Sequence, residues 1–186
     1  MRSIFDWFTT TNAGPEDIAL TTPADRLIPD PKARWVRCAD IAADPEIVYR
    51  WLCQLTVAPY SFDFIDMPGR RSPERLIPGA EDLRLGQPFM IFSLTDFVEG
   101  SYIAGVSRPE FKGVYGTIAV SYEATPSGTG CRLRATACVG PDLSGWRRGL
   151  LAVGDWVMAG QQLRRLKTLS ERTASGPAIA PERSEQ

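Results

Sequence analysis

Residues 149–172 read GLLAVGDWVMAGQQLRRLKTLSER. Placing them 100° apart puts Gln162, Leu163, Leu166 and Leu169 on one stripe, with Arg164, Arg165, Lys167, Glu171 and Arg172 opposite. That is the pattern of an amphipathic helix with one buried side. Asp155 and Met158 fall on the apolar side. The first half is different: Leu150, Leu151, Val153, Trp156 and Val157 are apolar almost all round, so this half is expected to be enclosed. One helix of about 24 residues would run ~36 Å, enough to cross a small domain.

Before this helix the chain alternates as a sheet does. Strands are expected at Phe89–Val98, Ser101–Ser107, Val114–Glu123 and Cys131–Val139. Glu99-Gly100, an Arg108–Gly113 loop and the PSGTG cluster at 126–130 separate them. Val114, Ile118, Val120 and Tyr122 share a face, as do Leu133, Ala135, Ala137 and Val139. Short turns between consecutive strands argue for an antiparallel meander with a buried face. Further upstream, Arg34–Ile41 suits a first strand. Asp44 then caps a helix with Pro45 at its first position and Ile47, Val48, Trp51, Leu52 and Leu55 at helical spacing. Tyr60–Asp66 reads as a short strand or extended segment, and Met67–Gly86 as a long irregular connection.

The ends differ from this body. Ile4, Phe5, Trp7 and Phe8 would share one face of a short helix, which docks on the body, contacts a second copy or rests on a membrane surface. Thr9–Pro31 reads as an extended arm. The expected organisation is an N-terminal arm over 1–33, one domain over 34–172 and a disordered tail over 173–186, which has no aromatic residue to bury.

Composition excludes several functions. The chain has 186 residues with 21 basic and 22 acidic side chains, for a net charge of −1. No general positive field exists to hold a nucleic-acid backbone, so no nucleic acid is expected as a partner. There is no histidine, which removes His-based nucleophilic triads and His-ligated metal sites. Cys38, Cys53, Cys131 and Cys138 form no CxxC pair, so no metal is expected. The Gly-rich turn SGTG joins strand to strand, which does not suit a nucleotide phosphate. No cofactor is expected. The longest apolar run, Gly149–Gly160, contains Asp155 and is too short for a membrane span of ~20 residues. With no signal-peptide pattern at the start, the expected setting is cytoplasmic, with reduced thiols.

A strand, short helices, consecutive antiparallel strands and one long C-terminal helix amount to an α+β layout. Here the sequence resembles a known family. DRLIPDP, RWVRCADIAADPEIVYRWLCQL, PYSFDFIDMPGRRSPERLIPGAEDLRLGQPF and GDWVMAGQQLRRLKTLSER, spread from about Asp25 to Arg172, look like bacterial START-like proteins of the polyketide cyclase/dehydrase or SRPBCC type. The resemblance implies a helix-grip fold, a curved antiparallel sheet wrapped around the long C-terminal helix with a hydrophobic ligand cavity between them. It implies no particular reaction.

Asp155 is the most informative residue, because a carboxylate on an apolar helix face is costly unless paired or hydrogen-bonded. Either it pairs with an arginine or backbone donors and fixes the helix, or it lines the cavity and serves a ligand. The aromatic residues are either core or cavity wall. The expected ligand-binding set is Trp51, Tyr60, Phe92, Tyr102, Ile118, Val120, Tyr122, Leu133, Asp155, Trp156 and Met158, and no catalytic residue is assigned. The small inward Ala135 and Ala137 suit close helix packing or space for a ligand. Asp63 and Asp66 point to opposite faces of an extended segment. Arg70, Arg71 and Arg75 form either an anion clamp at a cavity mouth or a solvated loop. The expected function is binding of a small hydrophobic or amphipathic molecule, as carrier or sensor. A homodimer is compatible with this reading. Two other readings remain open: a cofactor-independent cyclase or dehydratase using Asp155 with Tyr102 or Tyr122, and a protein-interaction module with a filled interior.

Overall fold

A computed structural model of the chain describes residues 10–61 and 71–176. In order, the elements are β1 Thr10–Thr11, α1 Pro15–Ala19, α2 Pro23–Leu27, β2 Ala33–Ile41, α3 Pro45–Cys53, β3 Pro88–Phe89, β4 Phe92–Val98, β5 Tyr102–Ser107, α4 Pro109–Tyr115, β6 Ile118–Ser127, β7 Gly130–Val139 and α5 Gly145–Ser175. The strands form one sheet in the order β1-β2-β7-β6-β5-β4-β3. Every pairing is antiparallel except the short β1–β2 contact. The α5 helix packs across the inner face of β2 and against α3. This is the helix-grip α+β architecture.

Register decides which side chains meet under the helix. Val120 lies opposite Ala137 and Tyr122 opposite Ala135, while Trp35 also faces Ala137 and Arg37 faces Ala135. Because side chains alternate along a strand, these residues share the inner face with Ile118, Leu133 and Ile103. Leu52, Leu94, Ile103, Leu133 and Leu166 are fully buried and form the core beside the site. Gly105 is required on this face: a Cβ there would lie 2.3 Å from the Ser93 carbonyl oxygen and 2.5 Å from the Phe89 ring.

Three expectations about the helices and strands need correction. The first half of α5 is not enclosed. Trp146 is 73% exposed and Leu150 68%, and Val153 and Val157 join them on the outer side. These four recur at helical spacing, so they form one outward stripe; the sheet can cover only the opposite side. Next, residues 109–115 are helical rather than loop and strand. Arg108 and Pro109 repeat the cap-then-proline arrangement of Asp44-Pro45, so Val114 sits on an exposed helix face. Finally, Phe89–Val98 is interrupted by a tight turn at Met90, whose φ is +52°, and becomes the hairpin of β3 and β4.

The ends also depart from expectation. The arm contains two helical turns, each opened by proline and capped at that same end by the acid two residues later. Asp17 Oδ2 accepts from the Gly14 amide at 2.9 Å, and Asp25 Oδ2 accepts from the Thr22 amide at 2.7 Å. The arm is held to the outer face of the sheet by Arg34, which donates to both Asp25 oxygens and to the carbonyls of Ile18 and Leu20. At the other end α5 continues through Ser175, so residues 173–175 are helix and not tail. The Trp51 indole donates to the Thr173 hydroxyl at 3.0 Å. The Ile4–Phe8 segment, residues 62–70 with Asp63, Asp66 and Arg70, and the remainder of the tail lie outside the described residues. Arg71 and Arg75 are exposed. Among the described residues no helix is long and apolar enough to cross a membrane.

Candidate functional site

Between the inner sheet face and α5 lies a cavity of about 690 Å³. The sheet contributes Trp35, Phe92, Ile118, Val120, Tyr122 and Ala137 to its wall. Alternation brings these residues to one side, and the small Ala137 leaves space beneath the helix. From α5 come Leu151, Gly154, Asp155, Met158, Ala159 and Gln162, the side opposite the exposed stripe. Residues 55–59 after α3, the β3–β4 turn, and Phe111 and Tyr115 of α4 complete the wall. A small annex of about 20 Å³ adjoins it, lined by Arg37 and Ala135 together with Trp35, Tyr122, Asp155 and Ala159.

Polar groups gather at that end. Arg37 Nη2 donates to Asp155 Oδ2 at 2.5 Å. The arginine side chain is only 2% exposed, while Asp155 keeps 28% of its surface open. Asp155 lines both the cavity and the annex, so its open surface faces the interior space. Burial pushes its carboxyl above the usual carboxylate range, against the downward pull of the Arg37 charge and hydrogen bond. Nearby, the Tyr122 hydroxyl donates to Gln162 Oε1 at 2.7 Å. Gln162 Nε2 in turn donates to the Pro59 carbonyl at 2.5 Å and lies 3.1 Å from Met90 Sδ. Burial, reinforced by the Asp155 charge and opposed by Arg37, raises the Tyr122 phenol well above its ordinary value. It is a neutral hydroxyl at neutral pH.

The structure brings Phe92, Ile118, Val120, Tyr122, Asp155 and Met158 of the expected set to the cavity wall. The other five lie elsewhere. Trp51 is buried on α3, edge-on to the Tyr60 ring at 5.9 Å; both belong to the core behind the cavity. Leu133 is fully buried opposite Ala39 and Ala124, in the core rather than at the cavity. Tyr102 is on the outer sheet face opposite Glu123, its hydroxyl donating to Asp96 at 3.0 Å. Its neighbour Ile103 takes the inner face. Trp156 is partly exposed and outside the wall, since one step of 100° from Asp155 turns it past the edge of the inward side.

Trp35 and Arg37, like Gln162 on α5 and Phe111 and Tyr115 on α4, are site residues outside the expected set. Both faces of β2 carry apolar residues, because Val36 and Cys38 pack beneath the N-terminal arm with Ala13. Alternation therefore gave no inner side. An arginine amid apolar residues was the available signal, since Asp155 needed a cation.

No protein-family model and no curated protein matches the sequence. Solved structures do match in fold. A Chromobacterium violaceum protein of 15% identity aligns over 74% of this chain and 96% of its own, with a TM-score of 0.50. A Rhodobacter sphaeroides protein of 13% identity aligns over 77% and 95%, also at 0.50. Norcoclaurine synthase from Thalictrum flavum, solved with dopamine and hydroxybenzaldehyde, is 11% identical and aligns over 89% and 96% at 0.51. The order of elements, the sheet closing over α5 and these likenesses agree: the chain has a START-like, SRPBCC-type helix-grip fold.

Proposed function

We propose that this protein binds a small hydrophobic or amphipathic molecule in the cavity under α5, as a carrier or sensor. The observation that supports this is the cavity itself: about 690 Å³, walled mainly by apolar and aromatic side chains, with a few polar groups collected at one end. Such a space is within the size range of small-molecule sites, and leaving it empty forgoes packing that the fold would otherwise gain. Native mass spectrometry of gently purified protein tests the reading, with a co-purified small molecule as the expected result. Titration with 1-anilinonaphthalene-8-sulfonate extends the test: saturable fluorescence enhancement, lost on filling the cavity, is expected. Absence of both would overturn the reading.

A second reading is a cofactor-independent enzyme of cyclase or dehydratase type on the same cavity. It draws on one observation, that the Asp155 carboxyl is raised and faces the space beside Tyr122, as an acid–base group would. Tyr102 has no part in it, being on the outer face. Turnover of polyketide-like substrates, abolished in Asp155→Asn, would favour the enzyme. The open interior weighs against a module whose cavity is filled by its own side chains.

A further inference from the structure

On the reading that the cavity holds a ligand, we propose that Asp155 accepts a hydrogen bond from an uncharged hydroxyl of that ligand, an alcohol or phenol, seated in the annex beside Arg37. Asp155 Oδ2 is taken by Arg37. Its other oxygen receives no hydrogen bond from the described residues, while the carboxyl opens on the interior space. Two of the donors around it, on Tyr122 and Gln162, are already committed. Gln162 Nε2 faces the Pro59 carbonyl and the Met90 sulfur, neither of which can donate. That fixes the amide oxygen toward Tyr122, so the phenolic proton is spent on it. The buried Arg37 side chain already gives an N–H to Asp155.

This end of the site thus presents two acceptors, Asp155 Oδ1 and the Tyr122 oxygen, beside the Arg37 guanidinium, whose N–H groups can only donate. Trp35 adds an indole N–H that has no partner among the described residues. A hydroxyl satisfies both kinds of group, because it donates once and accepts as well. Charge points the same way. Arg37 and Asp155 together are neutral, so an ammonium or carboxylate ligand would bring an uncompensated charge to a poorly solvated end. A carboxylate would also meet Asp155 as a like charge. Size agrees: the annex of about 20 Å³ suits one water-sized oxygen. It exists because Ala135, Ala137 and Ala159 end at Cβ around it.

The test uses three probes on one ring system, 2-naphthol, 2-methylnaphthalene and 2-naphthoate, titrated calorimetrically into the full chain. Hydroxyl and methyl are close in size, so their ratio isolates the hydrogen bond. 2-Naphthol is expected to bind roughly tenfold or more tightly than 2-methylnaphthalene, as for hydrogen bonds to a charged group, with 2-naphthoate weakest. In Arg37→Met/Asp155→Leu, which removes both charges of the pair, the preference should vanish while 2-methylnaphthalene still binds. Equal affinity of the naphthol and methyl probes for the unaltered protein, or tightest binding of the naphthoate, would overturn the proposal and leave the cavity reading standing. Binding of none of the three, nor of 1-anilinonaphthalene-8-sulfonate, would remove both. The wild-type ratio decides the matter even if the double variant does not fold.

Discussion

Arg37 on β2 and Asp155 on α5 form an ion pair of 2.5 Å, which with the Tyr122–Gln162 hydrogen bond joins the sheet to the long helix at the polar end of the cavity. The two residues are 118 positions apart in sequence. Arg37 is enclosed while Asp155 keeps about a quarter of its surface open, so the cation depends on the anion more than the reverse. Burying a charge is costly, and a pair with good geometry offsets part of that cost.

Removing the anion should therefore cost more than removing both charges. Asp155→Asn takes from the buried Arg37 the carboxylate it donates to and is expected to lower unfolding free energy by about 3 kcal/mol in urea titrations. Arg37→Met/Asp155→Leu should remain within about 1 kcal/mol of the unaltered protein. A single variant as stable as the parent would show that the pair does not hold the helix.

Filling the cavity should separate binding from folding. Ala159 projects from α5 into both the cavity and the annex. Ala159→Phe is expected to occupy existing space, leaving the melting temperature within a few degrees and reducing dye binding at least tenfold. A large drop in melting temperature would mean that the space closes in solution.

The acid side of the stability profile is set in part by the arm. Burial alone would raise the Asp25 carboxyl, but hydrogen bonds from Arg34 and from Thr22 outweigh it and bring it down to about 2. An unfolded aspartate titrates near ~3.9, so in acid the unfolded chain takes up this proton first. The stabilisation is then complete above about pH 4 and is lost as pH falls toward 2, on the order of 1–2 kcal/mol for this half-screened group. Asp17, lowered by Arg132 and the Gly14 amide against the opposing effect of burial, adds in the same direction. Urea midpoints from pH 5 to pH 2 should fall less steeply in Asp25→Asn; parallel profiles would remove Asp25 as a cause.

The four cysteines are free and buried. Burial pushes the Cys38, Cys53 and Cys138 thiols up to about 12 and Cys131 to about 11. At pH 8 almost no thiolate is present, so native protein should react slowly with a thiol reagent and unfolded protein should release four equivalents. Rapid reaction of a native thiol would show local opening around it.

The outer stripe of α5 should tolerate polarity where the inner stripe does not. Leu150→Gln is expected to change stability by no more than about 0.5 kcal/mol. Leu166→Ala, in the fully buried row, should cost about 2–5 kcal/mol. Equal effects in thermal or urea unfolding would contradict the helix orientation.

The sequence by itself determined the elements whose signal is periodic and local. The heptad-like stripe of Leu163, Leu166 and Leu169, the alternation through Ile118, Val120 and Tyr122, and the Asp44-Pro45 helix start each carry their own register, and the α+β class follows from their order. The cavity wall was legible where only one face of a strand is apolar. It was not legible at Tyr102 and Ile103 or along β2, where both faces are covered, one by α5 and one by the arm or its salt bridges. Which side of α5 meets the sheet, and that Trp146 and Leu150 stay in solvent, depends on how much sheet there is to cover them. The partner of Asp155 was likewise decided only in three dimensions. Burial creates the need for a cation, but only the pairing of β2 with β7 and the path of α5 bring Arg37 within reach, because charge contacts act over ångströms of space and leave no period along the chain.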